Sequence, residues 1–211
     1  MQRFRDRSEA GRLLAEALAE FRGDPALIVL GLPRGGVPVA AEVAKGLDSP
    51  LDIFLVRKLG LPSHPELAMG ALASGGAVVL NDDVVDAYRV PQEVIEDVAR
   101  DEVQELERRE RVYRGDRPRP DLAGRTVILV DDGLATGASM RAAAVAARQQ
   151  RPARLIIAVP VGAPATCATL REVADDVVCL RMPARFDAVG LWYQDFDQTS
   201  DEEVVRLLSR S

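Results

Sequence analysis

Two adjacent aspartates, Asp131 and Asp132, follow a run of apolar, β-favouring residues. Directly after them the chain strings together Gly133, Ala135, Thr136, Gly137, Ala138 and Ser139. Small residues let backbone N–H groups approach an anion closely, and the hydroxyls of Thr136 and Ser139 add donors. An Ala-rich helix is predicted to start at about 138, so its N-terminal partial positive charge falls on the same spot. Ala135, Thr136, Gly137, Ala138 and Ser139 therefore read as a phosphate cradle. The two carboxylates in front of it suit a sugar diol, a metal ion, or both. A phosphorylated sugar satisfies that combination.

Two further strings follow predicted strands. Pro33-Arg34-Gly35-Gly36-Val37 exposes backbone N–H groups at two glycines and offers the planar guanidinium of Arg34 to phosphate oxygens. Val56-Arg57-Lys58 places two cations at the end of an apolar run. In open α/β sheets ligands sit beyond the carboxyl ends of the strands, where all three strings fall. His64, the sole histidine, lies just downstream, either as a proton relay or as an exposed loop residue. The chain lacks a His/Cys cluster with zinc spacing, a Gly-x-Ser-x-Gly elbow and a Walker Gly-Lys-Ser/Thr string. A sugar-phosphate hydrolase would need a nucleophile that the sequence does not display.

The string VILVDDGLATGAS resembles the signature of type I phosphoribosyltransferases. The resemblance implies that Asp131 and Asp132 hold the ribose hydroxyls of phosphoribosyl pyrophosphate (PRPP) and that 135–139 bind its 5-phosphate. It implies that Arg34, Gly35 and Gly36 bind pyrophosphate, with a non-proline cis peptide expected at Arg34-Gly35. Arg57 and Lys58 would neutralise pyrophosphate, and a flexible loop at about 59–67 would exclude water. Mg²⁺ would accompany PRPP, with Asp131 and Asp132 as its candidate ligands. Gly133 departs from the bulkier apolar residue often found there. The variable segment that grips the acceptor base would be 182–211, where Phe186, Trp192 and Tyr193 offer flat rings for a heterocycle, or simply pack the tail. Relatives of this kind commonly form homodimers. The activity implied is transfer of the 5-phosphoribosyl group to an unidentified base. A PRPP- or nucleotide-binding regulator on the same fold is the alternative.

The rest of the chain is consistent with a globular core. Hydrophobic residues make up 47% and charged residues 28%, which supports an ordinary interior under a polar surface. The longest apolar runs are far too short to span a bilayer, and MQRFRDRSEAG has no apolar h-region, so a cytoplasmic protein is expected. The net charge of −6 argues against a general nucleic-acid binder, leaving only a local patch at Arg114, Arg117 and Arg119 for RNA. Cys167 and Cys179 fall in apolar segments and read as buried thiols.

Periodicity supplies the scaffold. Strands are predicted at 26–31, 51–59, 126–131, 154–160 and 176–181, alternating with helices at 37–47, 138–149 and 164–173. An N-terminal helix is expected over 8–22, capped by Ser8 and ended by Gly23, and a long charged helix over 91–113, opened by Pro91 as a solvated insertion or a subunit contact. A hairpin is expected at about 69–80, and Ser200 with Glu203 forms a capping box for a last helix. The expected fold is α/β: an open, mostly parallel twisted sheet with helices on both faces. Residues 1–181 would form the core, with a helical insertion at about 82–114, and 182–211 the tail.

Overall fold

The computed structural model describes residues 2–209, less the side chains of Pro65 and Glu66. Five apolar strands form a parallel sheet: β1 (Leu27–Gly31), β2 (Leu51–Ile53), β6 (Thr126–Val130), β7 (Arg154–Val161) and β8 (Asp176–Arg181), in the order β2-β1-β6-β7-β8. The three central strands, β1, β6 and β7, read as near-continuous apolar runs because both faces are covered. Leu27 and Val29 face one hydrophobic cluster, while Ile28 and Leu30 face the other, and Ile128 and Val130 alternate with Val127 and Leu129 in the same way. Helices α1 (Arg7–Ala17), α2 (Gly36–Leu47) and α7 (Asp201–Leu208) lie on the first side. Helices α5 (Ala138–Gln149) and α6 (Pro164–Leu170) lie on the second. The α/β class expected from periodicity is the one observed.

The N-terminal helix starts slightly earlier than predicted. Its cap is Asp6, whose carboxylate accepts from the Glu9 N–H at 2.7 Å, and not Ser8. It ends at Ala17, with a separate 3₁₀ turn over Ala19–Phe21. Helix α7 is capped as expected, by Ser200 accepting from the Glu203 N–H. Of the two thiols, Cys167 is buried, while Cys179 is only half-buried.

The largest departure lies in 51–67. The run expected as one strand is two: β2 in the main sheet and β3 (Val56–Leu61) in a separate antiparallel sheet with β4 (His64–Ala73) and β5 (Ala77–Leu80). Phe54 still donates to the Gly31 carbonyl of the main sheet, but the Leu55 carbonyl accepts from Ser74 of the other. Phe54 and Leu55 also bury themselves in opposite clusters. The loop expected at about 59–67 is a hairpin turning at Pro62-Ser63, with register shifts around Gly60. Glycine suits such a bulge and proline such a turn, so Gly60 sits within the strand pairing and Pro62 in the turn that joins its two strands. The hairpin expected at 69–80 is present as β4 and β5.

Two helices follow, α3 (Asp82–Ala87) and α4 (Gln92–Arg114), with Pro91 capping the second. A buried polar cluster ties α4 to the core. Arg114 donates to Asp52, to Glu110 and to the Ile53 carbonyl at 2.8, 2.9 and 2.6 Å. Glu110 also accepts from Ser74 Oγ at 2.8 Å and from Arg119. Ser74 Oγ in turn accepts from the Leu55 N–H. Of the arginines considered as an RNA patch, Arg114 is spent internally at 6% exposed, whereas Arg117, which donates to the Leu208 and Arg114 carbonyls, and Arg119, paired with Glu110, stay at the surface. Removing one partner of a buried pair strands the other charge, which costs about 3–5 kcal/mol. Arg114→Met is therefore expected to lose stability of that order, read as a lower midpoint in urea unfolding, and an unchanged midpoint would show the cluster to be dispensable.

Candidate functional site at the carboxyl edge of the sheet

The loops after β1 and β6 meet at the carboxyl edge of the main sheet. Gly35 and Gly36 pack directly against the acidic pair. A Cβ added at Gly35 would lie 2.0 Å from Asp132 Oδ2, and one added at Gly36 would lie 2.6 Å from the Val130 carbonyl and 2.9 Å from Asp131 Cα. Glycine is required here by proximity, since neither residue has a positive φ. The non-proline cis peptide joins Pro33 to Arg34, one bond earlier than expected. Helix α2 opens at Gly36, directly after this loop.

The carboxylates are held from different sides. Asp131 Oδ1 accepts from the Asp132 N–H at 2.8 Å. Asp132 Oδ2 accepts from Nε of Arg7 at 2.9 Å, and Nη2 of the same guanidinium stands 2.9 Å from that oxygen as an ion-pair contact. Among the described residues, Asp131 Oδ2 and Asp132 Oδ1 receive no hydrogen bond, and no buried side-chain oxygen is left unsatisfied, so both free oxygens reach solvent. Burial pushes the Asp131 carboxyl well above the usual carboxylate range, and the neighbouring Asp132 adds to the effect. Asp132 is raised too, by burial, against the opposing pull of Arg7.

Beyond them the backbone turns through Ala135 and Thr136 to Gly137, which adopts φ 72° and precedes α5. Ala135, Thr136, Ala138 and Ser139 are exposed. Among the described residues, nothing accepts from the N–H groups of Ala135, Thr136 or Gly137. Exposed donors without partners, ahead of a twelve-residue helix, make an anion-binding concavity. Helix α6 backs this loop: Thr166 donates to the Ala135 carbonyl at 2.9 Å, and its methyl stands 2.4 Å from where a Gly137 Cβ would be.

The remaining expected residues are less uniformly placed. Arg57 is paired with Glu102 of α4 at 2.6 Å, whereas Lys58 is exposed. The Arg34 guanidinium extends toward Asp201 at 3.9 Å, and Asp201 also accepts from the Tyr113 hydroxyl at 2.6 Å. That hydroxyl is pushed up to about 12 by burial and by its bond to Asp201. His64 opens β4 at the surface, with Nδ1 3.1 Å from Ser63 Oγ, away from these loops in its own contacts. Of the three tail rings, Phe186 and Trp192 are half-buried against the cluster of Phe4 and Tyr193, while Tyr193 is 3% exposed. Tyr193 stacks on Phe196, packs near Phe4, and donates to the Asp132 carbonyl at 2.6 Å. It braces the acidic loop and presents no free face to a heterocycle, which corrects the expectation for that ring.

Two features were not foreseen. One is Arg7, which sits at the first position of α1, where a cation opposes the helix dipole. That misplacement was its only sequence signal. The other is the fit of the tail on Gly133: an added Cβ would lie 2.5 Å from Val189 Cγ1. The missing side chain is replaced by one from the tail, so the loop stays packed. Among the described residues, no group of three or more His, Cys, Asp or Glu could hold a metal ion. An ion at this edge would have only the two aspartates and would draw its other ligands from water and substrate.

Comparison with known proteins bears on the family and the fold. Residues 7–194 match the family model described as phosphoribosyl transferase domain. A Mycobacterium tuberculosis (strain ATCC 25618 / H37Rv) protein named "putative phosphoribosyl transferase" is 50% identical over all 211 residues, and the chain spans 47% of its length. The crystal structure of TT1426 from Thermus thermophilus superposes with a TM-score of 0.88 at 47% identity, covering 99% of both chains. AQ2163 protein from Aquifex aeolicus shares the fold alone, with a TM-score of 0.51 at 11% identity over 87% of this chain and 78% of that one.

Proposed function

The chain belongs to the phosphoribosyltransferase family, and we propose that it transfers the 5-phosphoribosyl group of PRPP to a small nitrogenous base, releasing pyrophosphate. One observation carries the reading: two carboxylates, each with a free oxygen, stand between an open N–H cradle and a glycine loop that touches them. In this reading the exposed donors of 135–139 take the 5-phosphate. The free oxygens of Asp131 and Asp132 accept from the ribose hydroxyls. The Gly35 and Gly36 backbone lies against the same carboxylates, which suits the pyrophosphate end of the donor.

Loss of pyrophosphate leaves positive character at the anomeric carbon. A fixed carboxylate beside it stabilises that charge more than water would, because it need not reorient. The acidic pair fits a Mg²⁺ that keeps most of its water shell, and the bound ion would neutralise pyrophosphate oxygens. Lys58 is free to add charge there, and Arg34 needs only to leave an exposed contact at 3.9 Å. Phe186 and Trp192 keep part of their surface open for the acceptor. No helix among the described residues is long and apolar enough to cross a membrane.

The test is pyrophosphate release from PRPP and Mg²⁺ across a panel of purines, pyrimidines and small amines. Release that depends on one acceptor is the expected result. The engagement of Arg57 by Glu102 favours a second reading, in which the protein binds PRPP as a regulator. Tight PRPP binding with no release for any acceptor would replace the first reading with the second.

A further inference from the structure

Arg7 is fixed on four sides. Its guanidinium lies 3.9 Å from the Phe196 ring centroid, and Nη1 donates to the Asp197 carbonyl at 2.7 Å. Nε and Nη2 both bind Asp132 Oδ2. On the remaining side, Nη2 is 3.4 Å from where a Gly35 Cβ would lie. The helix that carries it is itself closely docked: a Cβ added at Gly11 would lie 2.6 Å from the Val39 carbonyl of α2, and one at Gly46 would lie 2.6 Å from Ala15. Little freedom remains for the guanidinium, and its side chain is only 13% exposed.

Ordinary anchoring explains a partner for Arg7 but not the choice of oxygen. Both nitrogens stand 2.9 Å from Oδ2, while Oδ1 receives no hydrogen bond from another residue and is not sealed from solvent. The Tyr193 hydroxyl clamps the Asp132 main-chain oxygen at the same time. Side chain and backbone of Asp132 are therefore fixed by two elements distant in sequence, α1 and the tail. We propose that Arg7 is a positioning residue that orients Asp132, leaving Oδ1 to accept from the ribose 2-hydroxyl. The assignment rests on the ribose reading of the acidic pair, and it makes diol recognition depend on α1 being docked. Arg7 touches no substrate in this scheme. It acts through Asp132, so its loss should weaken recognition of the hydroxyls and leave the 5-phosphate cradle alone.

The experiment compares binding of ribose 5-phosphate, 2-deoxyribose 5-phosphate and inorganic phosphate by calorimetry, each with Mg²⁺. The wild-type protein is expected to prefer ribose 5-phosphate to its deoxy analogue by about tenfold or more, the scale of one hydrogen bond to a charged acceptor. In Arg7→Met that ratio is expected to fall to about one, with phosphate affinity unchanged. General loosening of the site would lower phosphate affinity as well. Arg7→Gln, which keeps a planar donor over Phe196 without the charge, gives the same readout should Arg7→Met fail to fold. A wild-type preference that survives in these variants overturns the role of Arg7 alone. A wild-type protein with no preference overturns the ribose reading and the role of Arg7 together.

Discussion

Gly35→Ala is expected to bind PRPP at least about a hundredfold more weakly than wild type, a loss of about 2.7 kcal/mol. The added methyl would stand 2.0 Å from Asp132 Oδ2 and 2.8 Å from its Cγ. A carboxylate at the end of a free side chain could swing aside. This one is forked by Arg7 and sits on a backbone held by Tyr193, so the loop or the aspartate must leave its place. Either movement spoils the proposed donor site, while overpacking at one methyl costs the fold only about 1–3 kcal/mol. Calorimetry with PRPP and Mg²⁺, beside an unfolding curve, separates the two effects. Gly36→Ala is a useful contrast, because its methyl would meet the Val130 carbonyl and Asp131 Cα, which are backbone and cannot swing. Undiminished PRPP affinity in Gly35→Ala would remove this loop from the donor site.

Asp131→Asn/Asp132→Asn is expected to lose a comparable amount or more, since hydrogen bonds to charged acceptors contribute about 1.5–3 kcal/mol each. Wild-type affinity for PRPP in this double variant would sink the assignment of the ribose site. The single change Asp131→Asn carries an opposite effect on stability. Burial raises the Asp131 carboxyl above the value of about 3.9 expected in the unfolded chain. The folded state then binds the proton more tightly. The stability this gives is present below the unfolded value and is lost as pH rises through the raised one. Asparagine removes that loss, so Asp131→Asn should melt above wild type at neutral pH, with the difference shrinking as pH falls toward about 4. A variant that is less stable at neutral pH would show that the carboxylate is satisfied as an anion.

The sheet and its two outer loops were legible because they obey local rules. Strands buried on both faces read as unbroken apolar runs, and glycine-rich strings at their ends mark close approaches. The break at Phe54-Leu55 was not legible, because no glycine, proline or polar residue marks where the chain changes sheets. At 59–67 the markers were present but misleading: Gly60 and Pro62 serve a bulge and a turn inside a hairpin. Charge was the least legible property. Arg7 finds Asp132 across 125 positions, Arg57 is met by Glu102 across 45, and Arg114 reaches Asp52 across 62, none of which local spacing encodes; the Glu110 partner of Arg114, four residues back on the same helix, is the local exception.

The contact between Gly133 and Val189 bears on how such a chain can be recombined. The two positions share one volume: whichever side supplies the side chain, the other must withhold it. A tail taken from a relative with a small residue facing position 133 would leave a hole beside the acidic loop, and a bulky residue introduced at 133 would evict the native tail. Tail and acidic loop are thus matched halves, and a graft that exchanges the tail must carry residue 133 with it.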